Sequence, residues 1–390
     1  MNLILIFIYF ILFPFGQLLR FEIAPFGIPF AFHLLDLVTL FSIPAIVFNR
    51  LKPHPIRTYF YYFWYICFFS LLIAGSRYPI AEVIRGSLYL IRFISYYFFF
   101  EVVWNMTKNK KQKTENKERI LSIVMYSLLA TAILGWLQYF FAPDLRYLKI
   151  FNWDDHYYRL TGTILDPGFM GILMVFGSLL SSFTFIQTKK ISSLILATFF
   201  LITLGFTYSR ASYLSLICGV AIILWNLKKF RHLLLSIVIV LLMLLLLPKG
   251  GGEGVNLLRT NSIFQKATNY KETLEIISDF PVFGVGFNTL CSERTMRFAD
   301  SSSNHACSGS DSSILFILAT TGVLGLFAFI KIIVEAIHSI KDDKYSFLIT
   351  SVAFALLIHS LFLNSLFYPW MMGVIFVLLA ICNESKSKKF

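Results

Sequence analysis

Residues 168–229 read GFMGILMVFGSLLSSFTFIQTKKISSLILATFFLITLGFTYSRASYLSLICGVAIILWNLKK. Three apolar runs follow one another here, 168–187, 191–208 and 211–227. Each approaches the roughly 20 apolar residues that cross the hydrocarbon core of a bilayer. Lys189 and Lys190 mark the first break, an arginine-bearing turn the second, and Lys228 and Lys229 the third. Basic ends at alternate turns are the pattern of spans whose lysine-rich loops stay in the cytoplasm.

Nine further runs extend the pattern: 2–19, 30–49, 58–75, 80–105, 119–141, 231–248, 312–337, 345–364 and 367–383. With twelve spans, every even-numbered loop is basic, from Arg50 and Lys52 to Lys341 and Lys344, and the tail adds Lys386, Lys388 and Lys389. One orientation satisfies all of them: both termini and the even loops are cytoplasmic. Most of the net charge of +13 is therefore a topology signal and requires no nucleic acid. Composition agrees. Hydrophobic residues make up 57% and charged residues 14%, against about 25% charged in soluble domains. The first run lacks a basic start and a small-residue cleavage site, so it reads as a retained helix. The expectation is an all-α, polytopic transmembrane bundle of about 12 helices, a single integral membrane domain over 1–390. A large external loop at 249–311 contains a helix of its own.

Function is sought in that loop, in the shorter external segment 142–167 and in charges within helices. The long loop opens on Lys249-Gly-Gly-Gly-Glu-Gly254. Helical spacing of Ile263, Ala267, Tyr270, Leu274 and Ile277 then predicts an amphipathic helix over 256–278. Its polar side offers Arg259, Lys266 and Lys271, and Pro281 should end it. Asp311 falls at the mouth of the helix starting near Ser312. It reads either as a general base for a hydroxyl or as a helix N-cap. His305 reads either as a base or as a loop residue. Arg210, Arg159, Arg85 and Arg92 read either as an anion site or as partners of Asp36, Glu82 and Glu101. Arginine is suited to bidentate phosphate binding, and the set together favours a lipid diphosphate. Cys291 and Cys307 share the loop, where a disulfide is one option. No Cys/His spacing resembles a metal site.

Four motifs in order carry a resemblance. They are Arg159-Leu-Thr-Gly-Thr163 followed by Asp166-Pro167, Thr207-Tyr-Ser-Arg-Ala-Ser212, Pro281-Val-Phe-Gly-Val-Gly286, and Asp311-Ser312, nine residues, then Gly322-Val-Leu-Gly325. The chain resembles the O-antigen ligase and polymerase superfamily (the Wzy/WaaL group) of bacterial membrane glycosyltransferases, over about 155–330. Two positions depart. Asp311 stands where the family has histidine, and Lys266-Ala-Thr-Asn-Tyr270 stands for its R-x-x-x-W.

The resemblance implies a GT-C-like, metal-independent transferase in the inner membrane with an external active site and no cofactor. Its donor would be a glycan on undecaprenyl diphosphate and its acceptor another lipid-linked unit, a surface glycan or a lipid A core. A chain-length regulator is a possible partner. Arg210 and Asp311 are the catalytic candidates. Arg159, Lys266, Arg259, Arg85 and Arg92 are the diphosphate candidates, with His305 and Tyr270 behind them. A lipid-linked glycan flippase and a non-catalytic scaffold are the alternatives.

Overall fold

The computed structural model describes residues 2–23, 28, 30–108, 113–151, 153–248, 252–298, 307, 309–340 and 344–382. These residues form fifteen α-helices and one short hairpin. Four helices are long and apolar enough to cross a membrane: Ile80–Thr107, Thr114–Phe141, Pro167–Thr188 and Ser313–Ser339. Shorter apolar helices fill most of the other runs.

The first half contains α1 (Asn2–Leu12), strands β1 (Arg20–Ile23) and β2 (Phe30–His33), α2 (Leu34–Leu40), α3 (Ser42–Phe48), α4 (Arg57–Ala74), α5 (Ile80–Thr107) and α6 (Lys113–Phe141). Two runs depart from the expectation of one span each. The run 2–19 leaves the α-helix after Leu12, where Pro14 and Gly16 follow. Gly16 has φ +55°, and a Cβ there would stand 2.3 Å from the Thr163 carbonyl oxygen. The run 30–49 is β2 followed by two short helices. Asp36 accepts the His33 N–H and starts α2. Pro44, which lacks an N–H and crowds the carbonyl four residues back, separates α2 from α3. An all-α reading therefore missed the antiparallel β1–β2 pair.

The second half contains α7 (Pro167–Thr188), α8 (Ile191–Gly205), α9 (Arg210–Asn226), α10 (His232–Leu246), α11 (Asn261–Asp279), α12 (Leu290–Phe298), α13 (Ser313–Ser339), α14 (Ser346–His359) and α15 (Pro369–Cys382). α7 is enclosed by α6, α8, α9 and α14, and α5 by α2, α3, α4 and α15. Burial follows: α7 keeps Leu173, Val175 and Phe176 fully inside, and α15 does so with Trp370, Val374 and Val377.

The 249–311 loop is locked to the bundle by backbone. α13 kinks at Gly322 (φ +67°), which frees the carbonyls of Ala319 and Thr320. They accept the N–H groups of Val285 (2.9 Å) and Gly286 (3.1 Å), while Val323 N donates to the Pro281 carbonyl (2.8 Å). Ser70 of α4 donates at the same crossing, within 2.8 Å of the Phe283 and Thr320 carbonyls. This interlock explains the glycines at 284 and 322. A Cβ on Gly322 would meet the Val282 oxygen at 2.1 Å, and one on Gly284 the Thr320 carbonyl carbon at 2.4 Å. Gly322→Ala is therefore expected to cost at least about 1–3 kcal/mol and to lower the melting temperature of purified protein. Gly309→Ala, whose nearest neighbour would be 3.5 Å away, should melt like the parent chain.

Candidate active site

The turn between α8 and α9 gathers three arginines. α8 ends at Gly205, Tyr208 takes φ +51°, and Ser209 caps α9 by accepting from Ser212 N. The turn therefore leaves the Thr207 and Tyr208 carbonyls outside any helix. Arg159 donates to both, Nε to Thr207 at 3.1 Å and Nη2 to Tyr208 at 3.3 Å. Arg259 donates to Tyr208 from the other side (3.2 Å), and to the carbonyls of Gly254 (2.8 Å) and Asn256 (3.0 Å). Arg210 reaches forward to the start of α11: Nη1 to the carbonyls of Leu257 (3.4 Å) and Arg259 (3.1 Å), Nη2 to Ser262 Oγ (2.7 Å).

All these acceptors are carbonyls or a hydroxyl. Among the described residues, none of the three arginines has a carboxylate within ion-pair distance, whereas Arg20, Arg57, Arg85, Arg92, Arg119, Arg146 and Arg297 each do. Burial, and after it the charge of Arg259, pushes Arg159 down to about 10. Burial and then Arg210 lower Arg259. The guanidinium of Arg159 stays charged at neutral pH and is repelled by its neighbour. Asp166 and Asp154 act on Arg159, and Glu253 on Arg259, only from beyond ion-pair distance; burying cations without a close counter-ion is costly, and an anion at the turn would return that cost. A guanidinium has five N–H donors. The bonds above use two of Arg159 and three each of Arg210 and Arg259, so donors remain for a ligand.

One turn along α11 from Ser262, Lys266 faces the start of α13. Its Nζ lies 3.1 Å from Asp311 Oδ1 and donates to the Phe362 carbonyl at 2.7 Å. Each member of the ion pair is about one-third exposed (33% and 35%), so a substrate can reach it. Tyr270, on the same helix face, has its hydroxyl 2.6 Å from the Leu361 carbonyl and 3.2 Å from that of Asp311. Burial, then Asp311, pushes its phenol up to about 12. Asn269 accepts the Asp311 N–H at 3.0 Å. The cap of α13 is Ser312, whose Oγ accepts Leu315 N. The N-cap reading of Asp311 is thereby corrected: the carboxylate faces α11.

The approach to Asp311 is fixed. Cys291 of α12 is joined to Cys307, Cα to Cα 4.7 Å. The buried Arg294 donates to the Gly309 carbonyl (2.6 Å) and to Thr273 Oγ1 of α11 (2.7 Å). The other candidates stand apart. Arg85 pairs with Glu82 at 2.8 Å and Arg92 with Asp36 at 2.7 Å, both on the side of α5. His305 lies outside the described residues.

Sequence reasoning missed His359. It is buried at the end of α14, with Nε2 3.2 Å from Ser212 Oγ and Nδ1 2.6 Å from Ser365 Oγ. The signal was available, because an ionisable residue in an apolar run is a functional candidate by default.

His156, also unremarked in the sequence, is buried beside the cluster. Burial first, then Arg159 and Arg259, pushes its imidazole down to about 3. The unfolded chain takes up a proton near pH 6.5 that the folded chain refuses. Stability is therefore complete above about pH 6.5 and falls towards pH 3, at most by about 1.4 kcal/mol per pH unit. Protection of the amides in 153–161, taken relative to the intrinsic exchange rate at each pH, should fall as pH drops from 7 to 5, and His156→Gln should flatten that fall.

Residues 193–330 match the family model described as O-antigen ligase. No curated protein matches the chain. The matched region holds Arg210, Arg259, Lys266, Tyr270 and Asp311, and leaves out Arg159 and His359. Over that region, about a third of the chain, the protein is similar to the O-antigen ligase family.

Proposed function

We propose that this chain is a membrane glycosyltransferase that moves glycan from an undecaprenyl-diphosphate-linked donor to an acceptor hydroxyl on the external face of the cytoplasmic membrane. One observation carries the reading. Three arginines without carboxylate partners share a single turn, one helical turn of α11 from a reachable Lys–Asp pair. Such a cluster fits a diphosphate, and the neighbouring carboxylate fits a proton acceptor.

In this mechanism Arg210, Arg159 and Arg259 bind the diphosphate and stabilise the charge that develops as it leaves. Lys266 orients the Asp311 carboxylate and adds a cation beside the same oxygens. Asp311 takes the proton of the acceptor hydroxyl, whose oxygen attacks the anomeric carbon opposite the leaving oxygen. The anomeric C–O bond to phosphate breaks, a new glycosidic bond forms with inversion, and undecaprenyl diphosphate departs. The energy comes from the donor's own phosphate bond.

The test uses the full chain in lipid with an undecaprenyl-diphosphate-linked repeat unit as sole substrate. A ladder of longer glycans identifies a polymerase. Transfer only after a lipid A core is added identifies a ligase. Neither product, with the donor instead crossing the bilayer, would replace this reading with a flippase.

A further inference from the structure

His359 takes no part in the proposed chemistry, yet it joins the two halves of the site. Ser212 Oγ has one proton, which its neighbours Ser209 Oγ at 2.8 Å and the Gly168 carbonyl at 3.2 Å can each accept. Its oxygen is left to accept from the imidazole, so Nε2 carries hydrogen and Nδ1 accepts from Ser365. One neutral tautomer satisfies both contacts.

Each contact leads to a different part of the site. Ser212 lies in the first turn of α9, two residues after Arg210, and its N–H donates to the capping Ser209. Ser365 lies in the segment 360–366. There the Leu361 and Phe362 carbonyls hold Tyr270 and Lys266, the partner of Asp311. The segment is fixed to α13 as well: Ser313 N donates to the Ser360 carbonyl at 2.8 Å, and Leu366 N to Ser313 Oγ at 3.1 Å. Space around the link is tight, since a Cβ on Gly171 would stand 2.4 Å from Ser212 Oγ.

The geometry points to His359 as a positioning residue: its neutral imidazole sets the spacing between the Arg210 turn and the Lys266–Asp311 pair. The kinetic consequence rests on the glycan-transfer reading; the structural one does not. Small displacements of reacting groups can cost about 10²-fold in rate. His359→Leu should therefore lower kcat by about tenfold or more while KM for the lipid-linked donor stays within about twofold. His359→Gln, whose amide nitrogen can occupy the Nε2 position, should recover most of the loss. A Leu variant with parental kcat, or a Gln variant as impaired as Leu, overturns the assignment.

Hydrogen exchange on the same full-length variants, without substrate, provides the second arm. Leu should raise exchange in 207–213 and 360–366 together, and Gln should leave both protected. Exchange that rises in one segment alone, or in neither, also overturns it. If the parent chain makes no glycan product but the exchange pattern holds, glycan transfer fails and the tie stands.

Discussion

Arg210→Lys lowers glycan transfer by about 10²-fold although the positive charge is kept. The guanidinium does two jobs at once. Three of its contacts hold the Leu257 and Arg259 carbonyls and the Ser262 hydroxyl at the start of α11, and in the proposed mechanism its two remaining N–H groups serve the diphosphate. An ammonium is a single point donor with three hydrogens and cannot span these acceptors while also gripping a phosphate in a bidentate fashion. Loss of one preorganised donor to a developing charge typically costs 10²–10³-fold. The measurement is the initial rate of size-resolved product, at matched amounts of protein with the parental melting temperature. A lysine variant within about threefold of the parent would remove Arg210 from charge stabilisation and leave it as a structural clamp.

Asp311→Asn should be the most damaging change that preserves shape, with a loss of about 10²–10⁴-fold. The amide oxygen can still face Lys266, and the Asp311 N–H bond to Asn269 is a backbone contact that survives. What disappears is the capacity to take a proton. Lys266→Met makes the complementary measurement. It frees the carboxylate from its cation but keeps the acceptor, so it should be milder in kcat than Asp311→Asn. The reverse order would mean that the lysine, acting on the diphosphate, matters more and that the proton leaves by another route.

Much of the architecture is legible in the sequence because burial in lipid and alternating lysines impose strong patterns. The helix in the long loop is equally legible from its spacing: α11 ends at Asp279, two residues before Pro281. Asp311 and Lys266 were separately nominated, and the structure places them in contact. Other features were illegible for physical reasons. β2 opens an apolar run, so hydropathy cannot separate it from a span, and its partner β1 is only four residues long and carries Arg20 and Glu22. The partner of an arginine is a matter of tertiary distance, so Arg92 with Asp36 and Arg159 without a carboxylate look alike in sequence. His359 was passed over because it sits in a run already assigned to lipid. The role of Asp311 stayed open between base and cap because Asp311 and Ser312 are both good caps; in the structure Ser312 caps α13 and the Asp311 carboxylate meets Lys266.

The route of the chain through this site bears on modularity. The region that matches the ligase family stops at residue 330, yet Lys266 and Tyr270 rest on carbonyls at 362 and 361, and Ser212 rests on His359. Arg159, at the other side of the turn, comes from before the region begins. The matched block is therefore not a portable cassette. Moved into another bundle, it would bring its arginine turn and its acid–base pair but not the frame that aligns them. During synthesis, too, the site remains open until α14 and the segment after it have left the ribosome.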